Sequence, residues 1–344
     1  TAFFAITLCF AAIIPAFQAP DEFEHVKREY MLSRGQILLH SSQESPSGGR
    51  VDSGLMKYMD FFTPVKGNAA RKVSTDELTS SAQVRWSGSY SFEVSAVTGS
   101  YFPALYAPAA LGLLIGRSAD LSVSQSYRLS RFLSLLACSL ILAVAVRMWR
   151  LPAVVFALLA LPMNIFLVSS SVLDGTALAT FVLSMSAFFR VLNDRENTSR
   201  RVFLTLVISI TLVAACRANT LPMLILPFVA AWYTRNRRHA AFAAIAVVFV
   251  MAWTLYTIGH TVYPVGARHA DHAGRLTSFI THPGNFVELL WNTLTDLSIV
   301  SFYGYSFIGI LGWFDAALPL STYPVIAAAL IGVLLTSISI KNVR

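Results

Sequence analysis

Charge is what this sequence has least of. Asp, Glu, Lys and Arg make up 13% of its 344 residues, against roughly a quarter in soluble domains. With 55% hydrophobic residues and a mean hydropathy of +0.60, that scarcity excludes an ordinary water-soluble domain. Cysteine is scarce as well: Cys9, Cys138 and Cys216 stand far apart, each inside an apolar run. This excludes a disulfide framework or a thiol-based metal spacing, and the three are expected to be small buried hydrophobes. No internal repeat is visible. A continuous basic face is also missing, although the net charge is +8. The arginines fall instead in short clusters such as "RENTSRR" at 195–201 and "RNRRH" at 235–239. Such clusters mark cytoplasmic loops of membrane proteins, so nucleic acid is not expected as a partner.

What the sequence has in abundance is apolar runs, at about 1–17, 101–116, 132–148, 151–171, 175–192, 202–216, 220–233, 240–259, 298–313 and 322–340. A spanning helix needs ~20 residues, and several runs are shorter, so some are expected to tilt, kink or fail to cross alone. The first, "TAFFAITLCFAAII", has no basic flank and reads as a spanning helix trimmed at its start, not as a signal peptide. The expected fold is an all-α polytopic membrane protein, one transmembrane domain over 1–344 with about 8–10 spanning segments. Two polar stretches, 18–100 and 260–297, interrupt the pattern. The first contains the Ser/Gly-rich "HSSQESPSGGRVDSG" and then "RWSGSYSFEVSAV", a possible strand or short amphipathic element. Strict alternation and the arginine clusters agree on sidedness only if 101–148 makes one crossing fewer, or one more, than its runs suggest. The clusters then place Asp21, Asp174 and 260–297 outside.

Several ionisable residues stand where lipid-facing sequence would not put them. In "PAFQAPDEFEHVKREY" (15–30), Asp21, Glu22, Glu24 and His25 follow the first apolar run directly. As a helix, this stretch places Asp21 and His25 on one face, and likewise His25 and Glu29. Pro20 and the two acids suit a helix start with Lys27 and Arg28 turned toward headgroups; ionisable groups at this depth also suit a functional site. Asp174 in "SSSVLDGTALA" has no cation beside it and reads either as a helix cap or as a site residue. Arg217 in "AACRANTLPM" has no carboxylate beside it, and either binds a lipid phosphate or snorkels. His269, Asp271 and His272, with His260 and His282 nearby, form a polar loop that lacks a defined metal spacing. Trp313 and Asp315 stand in "GILGWFDAALP" before Pro319.

Five stretches in order, "PDEFEHVKREY", "SYFPALYAPAALGLLIGR", "YRLSRFLSLL", "LPMNIFLVSSSVLDGTALA" and "ILGWFDAALP", resemble the bacterial membrane family called domain of unknown function 2142. Its members carry a Pro-Asp-Glu-x-x-His stretch after the first helix and a late Gly-Trp-x-Asp-x-x-Leu-Pro stretch. Here these are Pro20, Asp21, Glu22 and His25, then Gly312, Trp313, Asp315, Leu318 and Pro319. The resemblance spans about 1–325. The chain departs from the pattern after that, ending at Arg344 without further C-terminal helices or a Gln-Gly-Arg-Tyr-type stretch; a fragment is expected.

That family in turn resembles the GT-C glycosyltransferases, multispan enzymes of the extracytoplasmic membrane face. The resemblance implies a GT-C-like bundle with a large first extracytoplasmic loop, in the bacterial inner membrane. It implies transfer of a sugar from a polyprenyl-phosphate donor lipid to a cell-envelope glycan or lipid-linked acceptor. Asp21 is then the candidate base with Glu22 as its catalytic neighbour. His25, Asp174, Arg217, Trp313 and Asp315 are supporting or substrate-binding. A cation at 27–28, or Arg217, is available for the leaving phosphate. No cofactor is implied, a divalent metal stays open, and no protein partner is named. The alternative is a transporter or flippase, or a non-catalytic assembly subunit, for a lipid-linked polysaccharide.

Overall fold

A computed structural model describes residues 2–39, 41, 46–261 and 272–337. The chain opens with the apolar helix α1 (Ala2–Ile13), a tight turn, and α2 (Glu22–Ser33). Glu22 and Glu24 sit in the first turn of α2, where carboxylates oppose the helix dipole favourably. The strand β1 (Gly48–Asp52) follows, then α3 (Ser53–Asp60), α4 (Thr75–Ala82), β2 (Tyr90–Val94) and the short α5 (Ala96–Gly99). β1 and β2 pair antiparallel, Arg50 opposite Phe92, so the suspected strand around 90–94 is one. Asp52 fixes this polar domain. It caps α3 through Gly54 N and accepts from the Ser87 and Gly88 amides and the Ser87 hydroxyl, all at 2.8–2.9 Å.

The core of this domain is aromatic. Phe17 lies 5.0 Å from Tyr127 and 5.6 Å from both Tyr58 and Phe62, measured between ring centroids. Contacts of this kind add about 0.5–1.5 kcal/mol each beyond buried area. Lys27 and Arg28 correct the expectation that they face headgroups: both are buried. Lys27 binds Glu24 and the Val94 carbonyl, and Arg28 donates to the Gln36 and Ile37 carbonyls. Neither is available for a substrate phosphate.

Next come α6 (Ala107–Ser118) and α7 (Val123–Met148), a hairpin. Gly112 and Gly116 let α6 lie directly on α7: a Cβ at Gly112 would sit 2.4 Å from Ser130 Cα, and one at Gly116 would sit 2.6 Å from Ser126 Cβ. This is the close packing that paired small residues give apolar helices. α6, twelve residues long, packs along only the first turns of α7 and is not among the helices long and apolar enough to cross a membrane.

The apolar run 151–171 is not one helix but two short ones, α8 (Ala153–Leu159) and α9 (Pro162–Val168), broken before Pro162. They return the chain to the start of α10 (Leu173–Asp194). α7 and α10 therefore run parallel: Ser130 meets Ser171, Cys138 Sγ meets the Gly175 carbonyl, and Trp149 stacks near Phe189. α11 (Arg200–Cys216), α12 (Ile225–Thr234) and α13 (Arg237–His260) then alternate direction. One end of the bundle gathers Arg147, Arg190, Arg200, Arg235 and Arg237, with Arg235 3.3 Å from Glu196. The other end carries the polar domain.

The remainder comprises α14 (His272–Thr281), α15 (Pro283–Thr295), α16 (Leu297–Gly309), the small hairpin β3 (Ile310–Leu311) and β4 (Ala316–Ala317), and α17 (Thr322–Ser337). Among the described residues three helices are long and apolar enough to cross a membrane: Val123–Met148, Leu173–Asn197 and Arg237–His260. Ala2–Ile13, Leu297–Gly309 and Thr322–Ser337 are shorter apolar helices. The molecule is a helical membrane protein. Cys138 and Cys216 are buried as expected, whereas Cys9 is exposed on α1.

Candidate functional site

The turn between α1 and α2 is strained. Phe17 and Asp21 both have left-handed backbones, φ 61 and 58. Such a conformation costs an ordinary L-residue about 1–2 kcal/mol, least for Asn and Asp. Asp21 closes the turn through its carbonyl, which accepts from Glu24 N and His25 N at 2.9 and 3.0 Å. Its carboxylate does not cap α2; it is exposed and makes no hydrogen bond or ion pair among the described residues.

Glu22, the next residue, is the opposite case. Its buried carboxylate accepts from Ala19 N at 3.0 Å, Ser171 N at 2.8 Å and the Tyr127 hydroxyl at 2.5 Å. These three donors tie the turn to α7 and to the segment that opens α10. Glu29, two turns along α2, is also buried, and the Ser171 and Ser130 hydroxyls donate to it at 2.9 and 3.2 Å. Burial holds its pKa well above the ordinary carboxyl value; the two serines oppose that shift and Glu22 adds to it.

His25 points from α2 toward the bundle and shares a 2.6 Å hydrogen bond between Nδ1 and the Tyr106 hydroxyl. Burial, then the nearby Arg217 charge, lower its pKa to about 3 against the pull of Asp21. The imidazole is therefore neutral at physiological pH and serves as a hydrogen-bonding group, not as a cation. Tyr101 lies over the same ring, 6.3 Å between centroids.

Asp174 and Arg217 each lack an opposite charge in the sequence, and the fold supplies it. Arg217 Nη2 lies 2.5 Å from Asp174 Oδ1. The guanidinium also sits 5.0 Å above the Tyr101 ring and 3.4 Å from its hydroxyl. Asp174 lies in the first turn of α10 rather than at its cap, which is Val172, and Arg217 ends α11. Both open on a cleft of about 330 Å³ that Asn164, Asn219 and Thr220 also line.

Trp313 and Asp315 belong to a separate element that reaches this turn. Asp315 Oδ1 accepts from Trp313 N at 2.9 Å, closing the β3–β4 hairpin. Trp313 Nε1 donates to the Phe17 carbonyl at 3.1 Å, and Lys66 Nζ lies 4.2 Å over its ring. The hairpin thus holds the strained turn from outside, while Asp315 itself is spent on the hairpin.

Tyr101, Tyr106 and Ser171 escape sequence reasoning, because hydroxyls in apolar sequence carry no signal of their own. Among the described residues no group of three His, Cys, Asp or Glu side chains is placed to hold a metal. His269 and Asp271 lie outside the described residues, as does the His272 side chain.

The family model described as "Predicted membrane protein (DUF2142)" matches residues 4–344. The chain belongs to that family. Among curated proteins and solved structures nothing matches. In this DUF2142 protein His25 and Arg217 both lie against Tyr101 and Arg217 pairs with Asp174, where the polar domain joins the bundle; the Asp21 charge acts on His25 from the turn.

Proposed function

We propose that this DUF2142 protein is a GT-C-like glycosyltransferase of the bacterial inner membrane, working at its extracytoplasmic face. The observation that carries the reading is a contrast around His25: an uncommitted, exposed carboxylate on a strained turn and an arginine already oriented by a carboxylate and a tyrosine both act on that ring. Strain retained at such a position is a mark of functional sites.

In this reading a polyprenyl-phosphate sugar lies with its phosphate at Arg217. The acceptor hydroxyl of a cell-envelope glycan or lipid-linked acceptor attacks the anomeric carbon and passes its proton to Asp21. The bond from that carbon to the phosphate oxygen breaks, and its electron pair stays on the phosphate, next to Arg217. A positioned base contributes ~10²–10⁴-fold, and a preorganised cation stabilises the charge that develops. One displacement inverts the anomeric centre. Asp174 orients Arg217, neutral His25 and Tyr106 shape the wall, and Glu22, Trp313 and Asp315 hold the turn. The arginine-rich bundle end then faces the cytoplasm.

The test is mass spectrometry of polyprenyl-phosphate lipids in a deletion strain complemented with wild type or Asp21→Asn. Persistent donor accumulation with normally produced Asp21→Asn protein supports transfer chemistry and identifies the sugar. A normal lipid profile with that variant overturns it. The break between α8 and α9 beside Asn164 favours a second reading, a transporter for a lipid-linked glycan, since broken helices serve such proteins. A transporter tolerates Asp21→Asn, so the same strain decides between the two.

A further inference from the structure

A second cleft, of about 380 Å³, lies on the other side of the α1–α2 turn, between α1 and the start of α7. α1 runs antiparallel to α7, with Ile14 at the level of Arg131 and Phe17 at the level of Tyr127. The cleft therefore grades in polarity along its length. Its deep end is walled by Leu8, Ala12 and Phe132; its mouth holds Ser81, Ser124 and Arg128. Arg128 is exposed and makes no ion pair or hydrogen bond among the described residues. Arg131 lies behind it, buried. Its guanidinium donates to the Ser169 and Ile14 carbonyls, so a second positive charge faces the cleft without a carboxylate bound to it.

Beyond Arg128 a more open hollow of about 490 Å³ continues outward, lined by Gln83, Arg85, Ser122 and Gln125. Apolar slot, unpaired arginine and polar vestibule thus follow one another along a single line. That is the order of parts in an anionic phospholipid: acyl chain, phosphate, polar headgroup.

We propose that this cleft is a binding site for an anionic phospholipid of the surrounding bilayer, its phosphate held by Arg128. The flank of α1 toward the cleft mouth is open, with Ile13 78% exposed, so a lipid enters sideways without any rearrangement. Between Leu8 and Ile13 the wall encloses roughly 8 Å of chain at helical rise. So short a wall reads the phosphate and the first methylenes and not the rest of the tail. The lipid at highest surface concentration, a bilayer phospholipid, then occupies it. Because Tyr127 lines the cleft and donates to Glu22, an occupied cleft buttresses the turn that carries Asp21. The site stands whether or not Asp21 takes part in sugar transfer.

The experiment uses the full chain in nanodiscs of phosphatidylcholine with one-fifth phosphatidylglycerol, followed by native mass spectrometry of retained lipid. Wild type retains one phosphatidylglycerol, and Arg128→Gln loses it by about tenfold or more, the scale of a charge-assisted hydrogen bond. Ala12→Trp, which fills the slot, loses it equally, whereas Arg238→Gln at the opposite bundle end does not. Equal retention by Arg128→Gln overturns the site, and so does binding of inorganic phosphate alone that matches the lipid. Displacement of phosphatidylglycerol by an equimolar polyprenyl phosphate overturns the bulk-lipid assignment. Unchanged helical content by circular dichroism in each variant separates lost binding from lost fold.

Discussion

Arg217 and Asp174, 43 positions apart in the chain, form an ion pair where the polar domain meets the helices. The side chains are 29% and 36% exposed, so the pair itself contributes only ~0–1 kcal/mol to stability. Arg217→Gln should leave the melting temperature nearly unchanged while lowering transfer about 10²–10³-fold. Asp174→Asn, which leaves the cation but frees its direction, should lower transfer less. Thermal melts beside turnover measurements on the purified protein check both.

Asp21→Asn keeps the left-handed turn, because Asn adopts that conformation as readily as Asp. The expected outcome is normal production and stability with transfer reduced ~10²–10⁴-fold. Asp21→Val should in addition destabilise by about 1–2 kcal/mol, since a β-branched residue fits that conformation poorly. The difference between the two melting curves isolates the backbone contribution.

Two buried groups on α2 give opposite pH dependences. His25 titrates near 3 in the folded chain against 6.5 when unfolded, so the unfolded state binds more protons between those values. Stability from His25 is full above pH 6.5 and falls as pH drops toward 3. Glu29 is raised above its ordinary value of 4.5, so its folded form binds more protons and its contribution falls as pH rises above 4.5. Glu29→Gln should remove that upper slope and stabilise the protein at neutral pH. Melting curves from pH 4 to pH 9, read for the two proteins together, show it.

Gly312 has φ 66, and a Cβ there would lie 2.2 Å from Asp315 Oδ1. Gly312→Ala should therefore loosen the hairpin and release Trp313 from the Phe17 carbonyl. Trp313→Phe removes that hydrogen bond alone, worth about 0.5–1.5 kcal/mol, and keeps a ring for Lys66. The alanine variant should be the more damaging in denaturant melts followed by tryptophan fluorescence.

With Cys9, Cys138 and Cys216 replaced by Ser, single cysteines at Lys72, Asn219 and Asn197 report the sidedness. Parallel α7 and α10 require the first two on one face and the third on the other. An impermeant maleimide should label Lys72→Cys and Asn219→Cys in intact cells, and Asn197→Cys only after permeabilisation.

The acidic turn is legible in the sequence because Pro20, Asp21 and Glu22 stand together after an apolar run, and local order alone marks them. That Asp21 is exposed while Glu22 is buried is not legible. It depends on Tyr127 and Ser171, brought in by helices whose register is set by packing. Asp174 and Arg217 are each visible as misplaced charges, but their pairing needs the antiparallel contact of α10 and α11. Arg28 misleads for the same reason: only the fold shows that the carbonyls of Gln36 and Ile37 claim it. The run 151–171 reads as one apolar stretch in the sequence, and its break before Pro162, with the parallel α7 and α10 it permits, follows only from three-dimensional contacts.

The three-donor seat of Glu22 also orders events in time. Ser171 follows Glu22 by 149 residues, and Trp313 follows Phe17 by 296. At a synthesis rate of ~5–20 residues per second, Glu22 waits roughly 7–30 s for its last donor. Until then the seat of Glu22 lacks one of its three donors, although Ala19 and Tyr127 are already made. A nascent chain thus carries the Asp21 turn well before all of its supports exist, and the turn is held from both sides only once Ser171 and Trp313 have been made.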